Sequence, residues 1–280
     1  MASTIDQAFI EEYNADVHLL YRQYGSRLMN TTRKGTVAAK SVYFQKFGTL
    51  AAQSKTRNAE HTFQDPAHSK VKADMVDYYV PTLVDDLDLL KLNIEEKRAH
   101  TTAQVAALGK KTDSVILDAL EAGANSSDLG DSTAAWDFDT AMSIVTTFSV
   151  NEVPDDGNRF CALHPYAWAQ FLKVPEFANA DYVSAENLPF KGNLTAKSWM
   201  GTMWMPMPNI DHGVAGTNIA TNMAWHRTAI GHGVNKEINT IWDYENTRSA
   251  WSAVSSMSLG AIVIEDAGVY KVSTLSPAPS

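Results

Sequence analysis

The sequence predicts an α+β fold, and three features of its pattern carry that reading. Two long stretches, near 9–28 and 94–122, repeat apolar residues every three or four positions, the period of one helix face. Short runs of β-branched and aromatic residues collect apart from them, at 41–45, 71–80 and 261–272. A mixed block between 136 and 225 holds five of the seven tryptophans. At 280 residues and 45% hydrophobic, the chain can bury one large core or two smaller ones.

The first element is a helix. Phe9, Tyr13, Val17, Leu20, Tyr24 and Leu28 form its stripe, Ser3 or Thr4 caps it, and Asp6 suits its dipole. Such a helix is marginal alone in water, so the stripe docks, either on its own domain or on a neighbouring subunit. Residues 31–80 read as a long hairpin, with strands at Ser41–Gln45 and Val71–Val80. The stretch between has too few large apolar side chains for a core. A loop of that length signals function or disorder.

That segment is also charged unlike the rest. From Arg27 to Lys72 there are nine basic residues and two acids, against 23 and 32 in the whole chain. A segment of +7 is thus attached to a body of −16. Asp74, Asp77, Asp85, Asp86, Asp88, Glu95 and Glu96 follow at once. A basic arm lying across an acidic neighbour accounts for both the length and the charge; a solvated basic loop is the plainer alternative.

The second long helix, from about Ile94 to Ala122, contains "AALGKKTD". This is not a phosphate loop. Gln104 stands where the first glycine belongs, and Lys111 where Ser or Thr belongs. Val105, Leu108, Thr112, Val115 and Ala119 carry the helical spacing straight through it, with Ile116 and Leu120 widening the stripe. Gly109 inside a helix costs about 1 kcal/mol relative to Ala, which points to close approach of another backbone. "EAGANSSDLGDSTA" ends the helix. Residues 134–150 make another amphipathic helix, and "RFCALHPYAWAQFLKV" a strand, a proline-started turn and a short helix. Pro206 and Pro208 confine any strand near 199–207 to a sheet edge. Ala261–Ile264, a turn at Glu265–Gly268 and Val269–Val272 form a strand–turn–strand, and "TLSPAPS" is a disordered tail.

Chemistry is scarce. GxSxG, HExxH and CxxC are all absent, and "GHGVNK" has Lys236 in place of the last glycine of a dinucleotide fingerprint. Cys161 is the only cysteine, so no internal disulfide forms; in an apolar run it is a buried, inert thiol. His212, His226 and His232 lie in one region with Asp211, and a metal-dependent enzyme there is the alternative function, although their spacing fits no ligand pattern. Asp85, Asp86 and Asp88 lack the glycine and terminal Glu of a calcium loop. A nucleic-acid module using Arg27–Lys72 is a third reading, disfavoured by a net charge of −9. No stretch approaches the roughly 20 apolar residues of a membrane span, and the acidic N-terminus lacks a signal peptide's basic region, so a cytoplasmic origin is expected.

Taken in order, the pieces resemble a tailed-phage major capsid protein of the Hong Kong 97 type. The N-terminal helix looks like the N-arm, and "AAKSVYFQKFG" like the start of the extended E-loop. "VDDLDLLKLNIEEKRAHTTAQVAALGKKTDSVILDAL" is similar to the junction into the spine helix. "RFCALHPYAWAQFL" looks like the axial-domain strand and helix, and "MSLGAIVIEDAGVYKV" like the return strands. The resemblance implies an N-arm at 1–30, an E-loop at 31–82 and a P-domain with its spine helix at 83–130. An A-domain at 131–240 and return strands at 241–280 complete it. It implies a non-enzymatic shell protein, assembled in the bacterial cytoplasm into hexamers and pentamers of an icosahedral virion around double-stranded DNA. The implied partners are further copies of itself, a portal protein, loosely touched DNA, optionally a decoration protein, and no membrane; no cofactor or metal is implied. The chain begins at the N-arm helix with Met1, so a separate scaffold protein is expected. Lys40, Lys46, Lys55 and Arg57 of the arm and Asp85, Asp86 and Asp88 of the acidic flank are the expected inter-subunit contacts. Some members join a Lys to a neighbour's Asn covalently; none of Lys40, Lys46 and Lys55 matches that role, and no crosslink is expected.

Overall fold

The computed structural model describes residues 25–86, 96–178, 196–213 and 217–278. Most of the expected N-terminal helix, together with Asp88 and Glu95, lies outside them.

One long helix organises the described chain. Helix α1 (Glu96–Gly123) has the length its apolar spacing predicts. Its first half packs on a four-stranded sheet ordered β1 (Arg33–Gly35), β11 (Ile230–Glu245), β12 (Ala250–Val263) and β5 (Val76–Asp85). Leu108 and Val115 of α1 meet Tyr78 and Val80 of β5 and Met257 and Leu259 of β12. A polar staple sits within this contact. The Gln104 amide donates to Thr82 Oγ1 at 2.7 Å and to the Ala253 carbonyl at 3.1 Å, and its oxygen accepts from Ser255 Oγ. Fully satisfied, such a group fixes the register of helix on sheet instead of penalising burial.

The glycine inside α1 has the reason expected of it. A Cβ on Gly109 would lie 2.8 Å from the backbone carbon of Gly25, closer than side chains tolerate. Gly25 itself has φ +75°, in the left-handed region. One turn further along α1, Asp113 is 2% exposed and receives Ser26 Oγ at 2.5 Å and the Arg27 and Leu28 amides at 3.0 and 3.1 Å. Leu28 then enters the core beside Ile116, Leu117 and Leu120.

The second half of α1 packs on a six-stranded sheet. Its order is β6 (Asn125–Asp128), β13 (Val269–Leu275), β10 (Ile219–His226), β7 (Arg159–Leu163), β9 (Thr202–Pro206) and β8 (Lys197–Trp199). Strand β7 is buried on both faces. Phe160 and Ala162 point to the α1 side with Met205, Met223 and Trp225. Cys161 and Leu163 point to an aromatic core built under α2 (Phe138–Val150), α3 (Pro165–Phe171) and α4 (Pro175–Ala178). There Phe171 and Trp204 stack at 4.8 Å and Trp136 meets Trp204 edge-on at 5.8 Å. The third sheet is small: β2 (Val37–Ala38), β3 (Ser41–Phe47) and β4 (His68–Asp74), with β3 and β4 forming a hairpin whose second strand, expected at Val71–Val80, ends at Asp74, because Val76–Val80 pair with β12 as part of β5.

Four local expectations change. Helix α2 starts at Phe138, because Asp137 caps it by accepting from the Thr140 amide at 2.8 Å. Strand β9 lies between β7 and β8, not at an edge; Pro206 ends it, and the next amide, Met207, donates to Leu163. The strands flanking Asp266–Gly268 do not pair. The turn carries the chain from the four-stranded sheet to the six-stranded one. The tail is also more ordered than its composition suggests: β13 runs to Leu275, and Ser276, buried, donates to the Asn218 carbonyl.

Candidate assembly surface

The hairpin and the sheet beneath it form the surface that the charge pattern singled out. One face of the four-stranded sheet is covered by α1. The opposite, outward face divides in two. Over one half sits the base of the chain's own hairpin, on a floor of glycine. A Cβ on Gly231 would fall 2.3 Å from the Phe44 ring, and one on Gly260 would fall 2.3 Å from the Asp74 carbonyl. Missing side chains let Val42, Phe44 and Met75 settle onto the strands, where they join Ile262 and Ile264. Both glycines of "GHGVNK" serve this packing, since a Cβ on Gly233 would fall 3.0 Å from Val37 and 3.1 Å from Met75.

Beyond its base the hairpin leaves the body. Residues 48–67 form no helix or strand, and nearly all are exposed. The loop is closed by Gly48 donating to the Ala67 carbonyl at 2.8 Å and by the Gln64 amide, which bridges both backbone groups of Ala51. It displays Leu50 and Phe63, the latter 94% exposed.

Among the described residues the other half of the outward face is exposed, with Lys236 donating to Ser256 Oγ on it at 2.8 Å. Tyr79, Pro81 and Leu83 alternate along β5, and the ladder sets Pro81 opposite Val254 and Val254 opposite Ile241. Tyr79 is 70% and Ile241 57% exposed. Asp77 and Asp85 share this face of β5 by the same alternation, and Asp243, opposite Ser252, ends the strip on β11.

The expected contact residues are only partly gathered. Lys40 is exposed in the turn before β3, its carbonyl taken by the Met75 amide. Lys55, 3.3 Å from His61, and Arg57 both lie exposed in the loop. Lys46 departs from the expectation: its ammonium lies 2.6 Å from Glu265 of the same chain. Asp85 and Asp86 stand together at the end of β5. Asp86 accepts from Trp251 Nε1 at 3.1 Å, and Lys97 lies 3.5 Å over the Trp251 ring. Sequence reasoning missed the apolar strip, although the nearly unbroken apolar run of "VDYYVPTLVD" puts apolar residues on both faces of the strand.

The three histidines are not brought together. His212 Nε2 is 2.6 Å from the Ser276 carbonyl, and its ring stacks on His164 at 4.4 Å. Burial, and then the neighbouring His212, push His164 down to about 4. His226 bridges Asp156 and Thr228, and the Asp156 carboxylate is held well below its usual range chiefly by that hydrogen bond. His232 meets Thr32 at 2.7 Å, and burial lowers its pKa. Among the described residues no group of three metal-ligating side chains converges, and no helix is long and apolar enough to cross a membrane. Cys161 is fully buried, and burial raises its thiol pKa well above the ordinary value.

Comparison with solved structures finds the same architecture in phage shells. The capsid of cyanophage P-SCSP1u matches with a TM-score of 0.71 at 12% identity, over 91% of this chain and 90% of that one. A structure from Mycobacterium phage Che8 matches at 0.69 and 17% identity, over 89% and 92%. The capsid of Ralstonia phage GP4 matches at 0.65 and 11% identity, over 92% and 93%. The fold is therefore the Hong Kong 97 type. No curated protein matches. A family model described as phage capsid protein matches residues 5–275, and with that nearly whole-length match the chain belongs to the phage capsid protein family, a structural component of the virion shell.

Proposed function

We propose that this is the major subunit of an icosahedral head, in which hexamers and pentamers enclose double-stranded DNA and each hairpin lies across the acidic flank of an adjacent copy. The carrying observation is the loop 48–67, which projects from the body with Phe63 exposed and no core of its own. Two paired seven-residue strands carry it outward by roughly 20 Å. In this reading Lys40, Lys55 and Arg57 meet Asp85, Asp86 and Asp88 of the neighbour, while Lys46, already paired with Glu265, steadies the hairpin on its own body. The segments 1–30, 31–82, 83–130, 131–240 and 241–280 serve as N-arm, E-loop, P-domain, A-domain and return strands. A scaffold protein, a portal and, optionally, a decoration protein act with it. The excess of acid outside the arm keeps the grip on DNA loose, since a cationic wall would hold phosphate strongly. Many modest contacts sum to a stable shell through multivalency. The subunit performs no catalysis.

Electron microscopy of the purified protein, alone and with its scaffold, tests this. Rings, tubes or shells are expected. A strictly monomeric protein at high concentration under both conditions overturns it.

A further inference from the structure

The hairpin and the charge pattern leave one apolar space unexplained, on the helix side of the four-stranded sheet. Strand β11 shifts register twice between Val234 and Asn239. Beside that bulge, α1 and the sheet enclose a cavity of about 370 Å³. Met29, Val234, Met257 and Leu259 line it, and Gly109 of α1 forms part of its wall. Ser26, Glu237 and Ile238 stand at its more exposed rim. Protein interiors pack closely, so an apolar space of this size calls for an occupant. We infer that the cavity is the seat of the chain's own N-terminal segment, with the Tyr24 ring inside it and Leu20 over Ile238 at the rim. Such a seat belongs to the single subunit and does not depend on the shell reading.

Three observations select that occupant. The first is position. Gly25 is the first described residue, and a Cβ on Gly109 would fall 2.9 Å from its Cα. Tyr24, one peptide bond earlier, is therefore held about 3.8 Å, Cα to Cα, from a residue that touches the cavity wall. The second is fixity. Asp113 receives Ser26 Oγ and the Arg27 and Leu28 amides, which pins the chain immediately after Gly25. A segment tethered so closely meets the cavity at an effective concentration of roughly millimolar or more. The third is chemistry. Ahead of Gly25 the sequence carries Val17, Leu20 and Tyr24 at helical spacing. A tyrosine suits an apolar chamber with a polar edge for its hydroxyl. Here the chamber is apolar at Val234, Met257 and Leu259, and Ser26 and Glu237 supply the edge. Its methionines adapt to the outline of a ring. Leu20, one turn before Tyr24, is placed to cover Ile238, which is 38% exposed.

Leu20→Cys combined with Ile238→Cys tests this in the dilute, purified full-length subunit. Cys161 is the only native thiol and is buried, so it does not compete. Mild oxidation should join the two introduced cysteines within one chain, at a yield independent of protein concentration, with the linked peptides identified by mass spectrometry. Trypsin gives a second readout, because Arg22 lies in the segment. Its cleavage in the native subunit should become about tenfold faster in Tyr24→Ala and change little in Tyr24→Phe, which keeps the ring. A disulfide that forms only between chains overturns the inference by giving the cavity to a second copy's segment. Absence of any disulfide in a variant whose urea midpoint matches the unmodified chain overturns it as well. So does cleavage at Arg22 that is equally fast in the unmodified chain and in Tyr24→Ala. Neither readout involves particles, so these failures leave the shell reading standing, and a failure to form shells leaves the seat in place.

Discussion

The two halves of the outward sheet face share β11 and β12, whose register shifts between them at Val234–Asn239, yet they are built from opposite side chains. Where the chain's own hairpin lies, β11 and β12 present Gly231 and Gly260, and the covering residues sit where a Cβ would be. Where no other described element lies, the same strands and β5 present Tyr79, Leu83, Ile241 and Val254, all exposed. A contact made within one chain is permanent, so the floor gives up its side chains to a fixed cover. A contact left for another molecule has to supply its own apolar area. Cover and vacancy on one sheet thus separate what folds the subunit from what remains for assembly.

The covered half is broken most severely by giving the floor a side chain. Gly260→Val places a Cβ against the Asp74 carbonyl, which is backbone and cannot rotate away. The expected loss is about 3 kcal/mol, read as a lower urea midpoint, and the hairpin amides of 41–47 should lose protection from hydrogen exchange. An unchanged midpoint would mean that hairpin and sheet are less closely seated than the structure has them.

A gentler break removes only the tether between hairpin and body. Lys46→Met abolishes the ion pair with Glu265, both partners being partly exposed. Such pairs contribute little, and the expected change is ~0.5 kcal/mol, vanishing in high salt. A salt-independent loss would assign the Lys46 stem a packing role instead.

How much of this division is legible without coordinates depends on the range of the interaction. The hairpin, the long helix and the reason for Gly109 follow from local spacing, because period and glycine cost are properties of neighbouring residues. Helix α2 begins four residues late because the Asp137 cap outweighs the apolar run before it. The separation of β12 from β13 is invisible locally, since a turn at Asp266–Gly268 serves a hairpin and a change of sheet equally well. The basic arm and acidic flank announce themselves through charge. The apolar strip does not, because its members come from three strands 160 residues or more apart at the extremes and meet only through the ladder that pairs Pro81, Val254 and Ile241.

The smallest expected effect on the subunit is also the most discriminating. Ile241→Ser and Tyr79→Ser remove apolar surface that the isolated chain already leaves in water. Neither folding nor the core changes, so each should shift the urea midpoint by less than ~0.5 kcal/mol. If the strip is an assembly surface, the same substitutions nevertheless weaken particles, because only in the shell is that surface removed from solvent. The diagnostic is the contrast: a stable subunit by denaturation with fewer particles by sedimentation. Subunit and particle weakened in proportion would place these residues on the folding side of the division, with Gly231 and Gly260. Charge reversal at Asp85 separates the remaining terms. It acts through the rim, so its effect on assembly should fade as salt is raised, whereas that of Ile241→Ser should persist, since salt screens charges and leaves apolar burial in place.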